Sequence, residues 1–163
     1  MTAEEFNRVY RAHLTDLTRF LARRLPSEAV EDLAADLFEI AWNKRRSITT
    51  GEELPWLYKT GRYLIANYRR KHSGRQAILE RLTEPVAAPS AEAVAIADIS
   101  MAAAWDALAA KEQEVLALWA FEGLEPPEIA KALGQSPNAV NIRLSRAKKN
   151  LLAGFEKTDP QIT

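Results

Sequence analysis

The chain contains no cysteine, which rules out disulfides and any metal centre held by thiolates. Histidine is almost as scarce. His13 and His72 are the only two and stand in different segments, so no imidazole metal site is expected, and His13 reads as a helix-surface residue. No apolar run approaches the roughly 20 residues that a membrane-spanning helix needs. The start, Met-Thr-Ala-Glu-Glu-Phe, lacks the basic and then apolar pattern of a secretory leader. A soluble, cytoplasmic protein with no membrane partner is expected. There is no glycine-rich phosphate loop, and no metal cluster or nucleophile–base pair stands out, the early carboxylates and Asp98 with Asp106 included. No cofactor, no catalytic residue and no enzymatic activity are therefore expected. Convincing strand patterns are missing too.

Net charge is absent as well, with 22 basic residues balancing 22 acidic ones. That argues against a general polyanion binder, but the charges are segregated. Glu28, Glu31, Asp32, Asp36 and Glu39 cluster early, whereas no acidic residue occurs between Leu54 and Leu79. Lys59, Arg62, Arg69, Arg70, Lys71 and Arg75 all fall in that acid-free stretch. Such asymmetry suggests one surface for a nucleic acid and another for a basic partner.

The most informative stretch runs from Gly134 to Lys149. Gly134 suits the left-handed conformation that ends a helix. Ser136 is a good N-cap, and Pro137 fits a first helical turn, where its missing N–H costs nothing. Val140, Leu144, Ala147 and Leu151 recur at helical spacing as a narrow apolar stripe. Asn138, Asn141, Arg143, Ser145, Arg146, Lys148 and Lys149 fall largely on the remaining surface. Upstream, Pro127 to Leu133 reads as a short amphipathic helix. Short helix, glycine turn and capped second helix make a helix-turn-helix pattern. A plain helical hairpin with a solvated basic face shares this pattern; DNA binding is the favoured reading.

Elsewhere the periodicity is helical throughout. Phe6, Val9, Tyr10, Leu14, Leu17, Leu21 and Leu25 define a first helix stopped near Pro26. Ser27 is expected to cap a second, with Val30, Leu33, Leu37, Ile40 and Ala41 on one side. Ser47 to Glu53 reads as a loop, and Leu54 to about His72 as a third helix with Leu57, Gly61, Leu64, Ile65 and Tyr68 at core spacing. Glycine inside a helix costs roughly 1 kcal/mol relative to alanine, so Gly61 predicts a close helix crossing. Glu84 to Ala91 is rich in proline and alanine and reads as an extended linker. Helical pattern resumes near Asp98 with Met101, Trp105 and Leu108, then Val115, Leu116, Leu118, Trp119 and Phe121, closed by Gly123. Fraying is expected after Glu156. The expected fold is all-α: two small helical domains over 1–75 and 98–157, a linker over 76–97 and a tail over 158–163.

Several of these stretches resemble the extracytoplasmic-function (ECF) class of bacterial RNA polymerase sigma factors. Val30-Glu-Asp-Leu-Ala-Ala-Asp-Leu-Phe-Glu-Ile-Ala-Trp42 is similar to the family's acidic helix, and Trp56 to Arg70 to the helix that follows it. Glu112 to Leu116, Phe121 to Leu124, Glu128 to Ala130 and Leu133-Gly134 match the usual run of the second domain. Val140 to Lys148 parallels the family's "VKSRLxRAR". Departures occur at Ala35, where the family has glutamine, at Leu108-Ala109, at Glu125-Pro126-Pro127, at Ala139 and at Asn141-Ile142. They leave the fold reading intact but prevent any promoter preference from being carried over.

The resemblance implies a promoter-specificity factor that binds core RNA polymerase and promoter DNA and supports opening at the start site. Asp32, Asp36 and Glu39, at helical spacings of four and three, would meet the polymerase. Tyr58, Arg62, Tyr63, Asn67, Arg69 and Arg70 would handle the −10 element, with Trp56 and Tyr68 assigned to the core. Asn138, Asn141, Ile142, Arg143, Arg146, Lys148 and Lys149 would engage the −35 element. An anti-sigma factor is a common partner in the family. Two other readings compete. A sigma mimic that sequesters an anti-sigma factor should lack basic residues on the third and last helices, yet both are basic. A conventional helix-turn-helix regulator would leave the first domain unexplained.

Overall fold

The computed structural model describes residues 1–73 and 99–158. The expected linker over 76–97 and the last five residues lie outside them. Among the described residues every regular element is a helix.

The first three helices form one bundle. Helix α1 (Ala3–Ala22) begins at a capping box, in which Glu5 donates its backbone N–H to Thr2 Oγ1 at 3.2 Å and accepts at Oε2 from the Thr2 N–H at 2.6 Å. Two of the four orphan N–H groups of a helix start are satisfied in this way. Helix α2 (Ser27–Asn43) departs from expectation at its start. Pro26 occupies the cap position, Ser27 is already helical, and no side chain caps the helix. The fixed φ of proline sets the entry instead. Helix α3 spans Glu53–His72. Leu17, Phe20 and Leu21 meet Ala34, Leu37, Phe38 and Ala41, with Leu57 and Ile65 closing the core from α3. Gly61 sits where α3 crosses α1. A Cβ there would come within 3.1 Å of Phe20 Cε1, so the crossing is close. Leu64, Tyr68 and Trp56 are only partly buried and pack against the margin of this core.

Tyr58 requires a correction. It was expected to face DNA, but its side chain is fully buried. Its ring stands edge-on to Phe20, with centroids 4.9 Å apart, and burial holds its hydroxyl well above the usual phenol range. Tyr58 lies on the same face as Gly61 and Ile65, three and seven residues on, and so belongs to the packing.

The second bundle comprises α4 (Ile99–Asp106), α5 (Ala110–Ala120), α6 (Pro126–Leu133) and α7 (Pro137–Thr158). Its core collects Trp105, Leu108, Val115, Leu116, Leu118, Leu124, Ile129, Val140, Leu144 and Ala147. Buried Gln113 donates Nε2–H to the Trp105 carbonyl at 2.9 Å, tying α5 to the end of α4. Trp119 reaches the surface, where the Lys148 ammonium lies 3.6 Å over its ring. Helix α7 continues past Glu156, where fraying was expected, to Thr158.

Between α6 and α7 the local chemistry acts as its residue types suggest. Gly134 adopts φ +65°, and the Gln135 N–H reaches back to the Ala130 carbonyl at 2.9 Å. Ser136 Oγ then accepts from the Ala139 N–H at 3.1 Å, which starts α7 one residue later. Nothing crowds a Cβ at Gly134, so the penalty for a side chain there is conformational alone. Gly134→Ala should lower unfolding stability by about 1–2 kcal/mol. A urea denaturation midpoint unchanged from wild type would contradict this.

Candidate nucleic-acid interface

Helix α7 buries Val140, Leu144 and Ala147 against α5 and α6 and turns its other faces outward. Asn138, Asn141, Arg146, Lys148 and Lys149 are exposed, as is Ile142, at 52%. Arg143 differs from them. It is half-buried, and its Nη1 donates to Gln135 Oε1 at 3.0 Å. Thus six of the seven −35 candidates are exposed on α7, Lys148 among them lying over the Trp119 ring, and the seventh is held at the helix edge.

The −10 candidates on α3 are less uniform. Tyr63 is 64% exposed. Asn67 Oδ1 accepts from Arg70 Nη1 at 3.1 Å, and Arg69 Nη2 donates to the Arg24 carbonyl at 3.1 Å. Arg62 is engaged by the second bundle. Its Nε donates to Glu114 Oε1 at 2.6 Å, its Nη2 to Glu114 Oε2 at 3.3 Å, and its Nη1 to the Ala132 carbonyl at 3.4 Å. The loop before α3 buries Ile48, turns at Gly51 with φ +87°, and pairs Glu52 with Lys131 of α6. A cleft of about 550 Å³ separates this loop and the start of α3 from the α6–α7 turn.

Sequence reasoning missed these contacts between the bundles, and with them a further, buried one. Glu122, just beyond α5, has a side chain only 1% exposed, paired with Arg23 and 3.9 Å from Arg24 Nη1. Arg24 lies over the Phe20 ring at 3.9 Å and donates to the Phe20 carbonyl at 3.0 Å. Burial holds the Glu122 carboxyl above its usual range, against the pull of Arg24 and Arg23. Burial likewise lowers Arg24 to about 10, against the pull of Glu122. Arg24 Nε and Nη2, Glu122 Oε2 and the Tyr58 hydroxyl are buried without hydrogen-bond partners.

On the far side of the first bundle, Asp32, Asp36 and Glu39 stand exposed on α2. A groove between α2 and α3 places Glu28, Asp32 and Asp36 near Lys71 and His72. No helix among the described residues is long and apolar enough to cross a membrane.

Comparison with known proteins gives two family matches. Residues 9–75 match the profile described as Sigma-70 region 2, and residues 100–151 that of Sigma-70, region 4. The chain is 28% identical over 138 residues to the RNA polymerase sigma factor NccH of Alcaligenes xylosoxydans xylosoxydans, covering 79% of this chain and 74% of that one. It is 32% identical over 129 residues to the probable RNA polymerase sigma factor RfaY of Xanthomonas campestris pv. campestris. That match covers 74% of this chain but 32% of the longer relative. Among solved structures it is similar to CnrH in complex with the cytosolic domain of CnrY, with TM-score 0.65 and 26% identity, covering 97% of this chain and 92% of that one. It shares its fold with the sigma factor RpoE of Bartonella quintana, solved with the anti-sigma factor NepR. There the TM-score is 0.70 and the identity 24%, covering 94% of this chain and 98% of that one.

Proposed function

The chain belongs to the sigma-70 family, as an RNA polymerase sigma factor of the ECF class, and from that premise we propose that it selects promoters by reading a −35 element with α7 and holding a −10 element with α3 and its preceding loop. The observation that carries this reading is the free face of α7, presented by a glycine turn and a serine cap. Asn138, Asn141 and Arg143 are suited to base edges, where one good bidentate contact gives about 1–3 kcal/mol of discrimination. Ile142, exposed and apolar, suits a thymine methyl. Arg146, Lys148 and Lys149 suit phosphates, which position a helix without reading sequence.

Promoter opening needs a source of free energy. Separating duplex costs about 1.4 kcal/mol per base-pair step, so a bubble of about ten steps costs on the order of 14 kcal/mol. Captured bases contribute roughly 1–3 kcal/mol each, and polymerase contacts supply the remainder. Tyr63, Asn67, Arg69 and Arg70 offer ring, amide and cationic groups for the displaced strand. Arg62 joins them only when a phosphate replaces Glu114. Asp32, Asp36 and Glu39 are the proposed contacts to core polymerase. An anti-sigma factor is proposed as a regulatory partner, since the similarly folded sigma factor RpoE of Bartonella quintana was solved in complex with the anti-sigma factor NepR.

The deciding experiment is in vitro transcription with sigma-free core polymerase and fragmented DNA from the source organism. Discrete transcripts that depend on this protein are expected. Neither transcripts nor core binding would favour the mimic or the simple DNA-binding regulator. In DNA titrations across salt, Arg146→Ala should lower affinity on all sequences and reduce the slope of log affinity against log salt by about 1. An unchanged slope would remove Arg146 from the phosphate-contacting set.

A further inference from the structure

Arg143 stands apart from the other −35 candidates. Asn138, Asn141, Ile142, Arg146, Lys148 and Lys149 are exposed, whereas Arg143 is half-buried and hydrogen-bonded across the α6–α7 turn. It borders the buried stripe of Val140, Leu144 and Ala147 on α7. The acceptor is Gln135, a residue outside the helix and eight positions earlier. Gln135 is itself anchored. It follows Gly134 in its left-handed conformation, and its N–H is bonded to the Ala130 carbonyl at 2.9 Å. Turn, side-chain amide and guanidinium thus form one connected chain from the end of α6 to the second turn of α7.

An unrestrained arginine carries a large rotamer entropy, part of which is lost when it docks on a base. A bond that holds the guanidinium beforehand removes that loss from the binding step. The bond to Gln135 uses one donor on Nη1, and a guanidinium has five N–H donors. A second Nη1 hydrogen, both on Nη2 and that on Nε are left, which is enough for the two-point contact that distinguishes guanine. Gln135 also has no charge, so it orients Arg143 without weakening its attraction to DNA.

We infer that Gln135 is a positioning residue for sequence reading: it fixes the direction of Arg143 and thereby sets how sharply α7 discriminates one base pair. The inference rests on the proposed reading of the −35 element by α7. Gln135 is expected to change specificity and not general affinity, which separates positioning from a merely structural role.

The test uses holoenzyme assembled from core polymerase and the full chain, with a randomised DNA library as probe. Sequence preference is recorded for wild type, R143A, N138A, N141A, Q135A, Q135E and the Q135A/R143A double variant. R143A should flatten the preference at one or two positions. Q135A should flatten the same positions, by about three- to tenfold in the ratio of best to second-best base, with the salt slope unchanged. The double variant should match R143A alone, as expected of two residues acting through one contact. Q135E keeps an acceptor at the same reach, so it should keep the same preferred base while binding all DNA more weakly. Circular dichroism should show the same helix content throughout. R143A flattened and Q135A unchanged would overturn the positioning role and leave the reading of α7 intact. R143A indistinguishable from wild type would overturn the positioning role together with the base contact of Arg143, while loss of preference in N138A or N141A would still support the reading of DNA by α7. Q135A flattening positions other than those of R143A would also overturn the role.

Discussion

Glu122→Ala is expected to part the two helical bundles while the helical circular dichroism signal persists. Glu122 is the only carboxylate that reaches Arg23 and Arg24 among the described ion pairs, and Arg24 is buried with its charge. Removing the carboxylate takes the hydrogen-bond acceptor from Arg23 and the counter-charge from buried Arg24, two of whose nitrogens already lack a partner. A buried hydrogen bond to a charged group and the penalty of an orphaned charge together amount to about 3 kcal/mol. That shifts the ratio of packed to open chains roughly a hundredfold. Since the chain has no cysteine, cysteines placed at the exposed positions Glu31 and Lys111 would carry a dye pair uniquely. Energy transfer between the dyes should fall in Glu122→Ala. Unchanged transfer would show that the buried cluster does not hold the bundles together.

The same carboxyl makes the packing pH-dependent. Burial raises its pKa in the packed form above the ordinary value of 4.5, so the packed form binds the proton more tightly than a form in which Glu122 meets water. The added stability that proton uptake brings is complete below that ordinary value and is lost as pH rises through the raised one, leaving the ion pair to Arg23 and Arg24. Mild acidification should therefore increase energy transfer, while Arg24, lowered only to about 10, stays charged. Glu122→Gln keeps an acceptor oxygen and has no proton to bind. It should stay packed at neutral pH and lose the acid response.

What the sequence made legible is mostly local. Gly134, Ser136 and Pro137 each have one strong conformational preference, and the turn they predict is the turn that forms. Gly61 likewise announced a close crossing. On α3, Leu57, Gly61, Leu64, Ile65 and Tyr68 were read as core; Leu57, Gly61 and Ile65 are buried, whereas Tyr58 takes a core place and Leu64 and Tyr68 lie at the margin. Tyr58 and Tyr63 have the same chemistry, and only the choice of stripe tells the ring against Phe20 from the one in solvent. The contacts between bundles carry no local signal at all. Arg62 and Glu114 are 52 residues apart, and Arg23 and Glu122 are 99 apart. A charged residue that will be buried against a distant partner has the same composition and spacing as one that stays wet. Glu122 was therefore quoted within a family motif without a role of its own.

Reversing two charges on α2, Asp32→Lys with Asp36→Lys, is expected to abolish productive binding to core polymerase. These residues are exposed one turn apart on a face shared with Glu39, and neither is needed for the core beneath them. Lysine is a better helix former than aspartate. Both positions also lie beyond the first turn of α2, where the helix dipole rewards acidic groups. Folding should therefore be untouched. If a basic polymerase surface docks here, the double change converts two attractions into two like-charge contacts, each costing several kcal/mol. Affinity for core polymerase should drop by more than about a hundredfold, with transcription lost in parallel. Binding of α7 to DNA should stay as it was, because the two surfaces belong to different bundles. Native-like core affinity in the double variant would mean that this face is only a solvated acidic stripe and that the polymerase docks elsewhere on the chain.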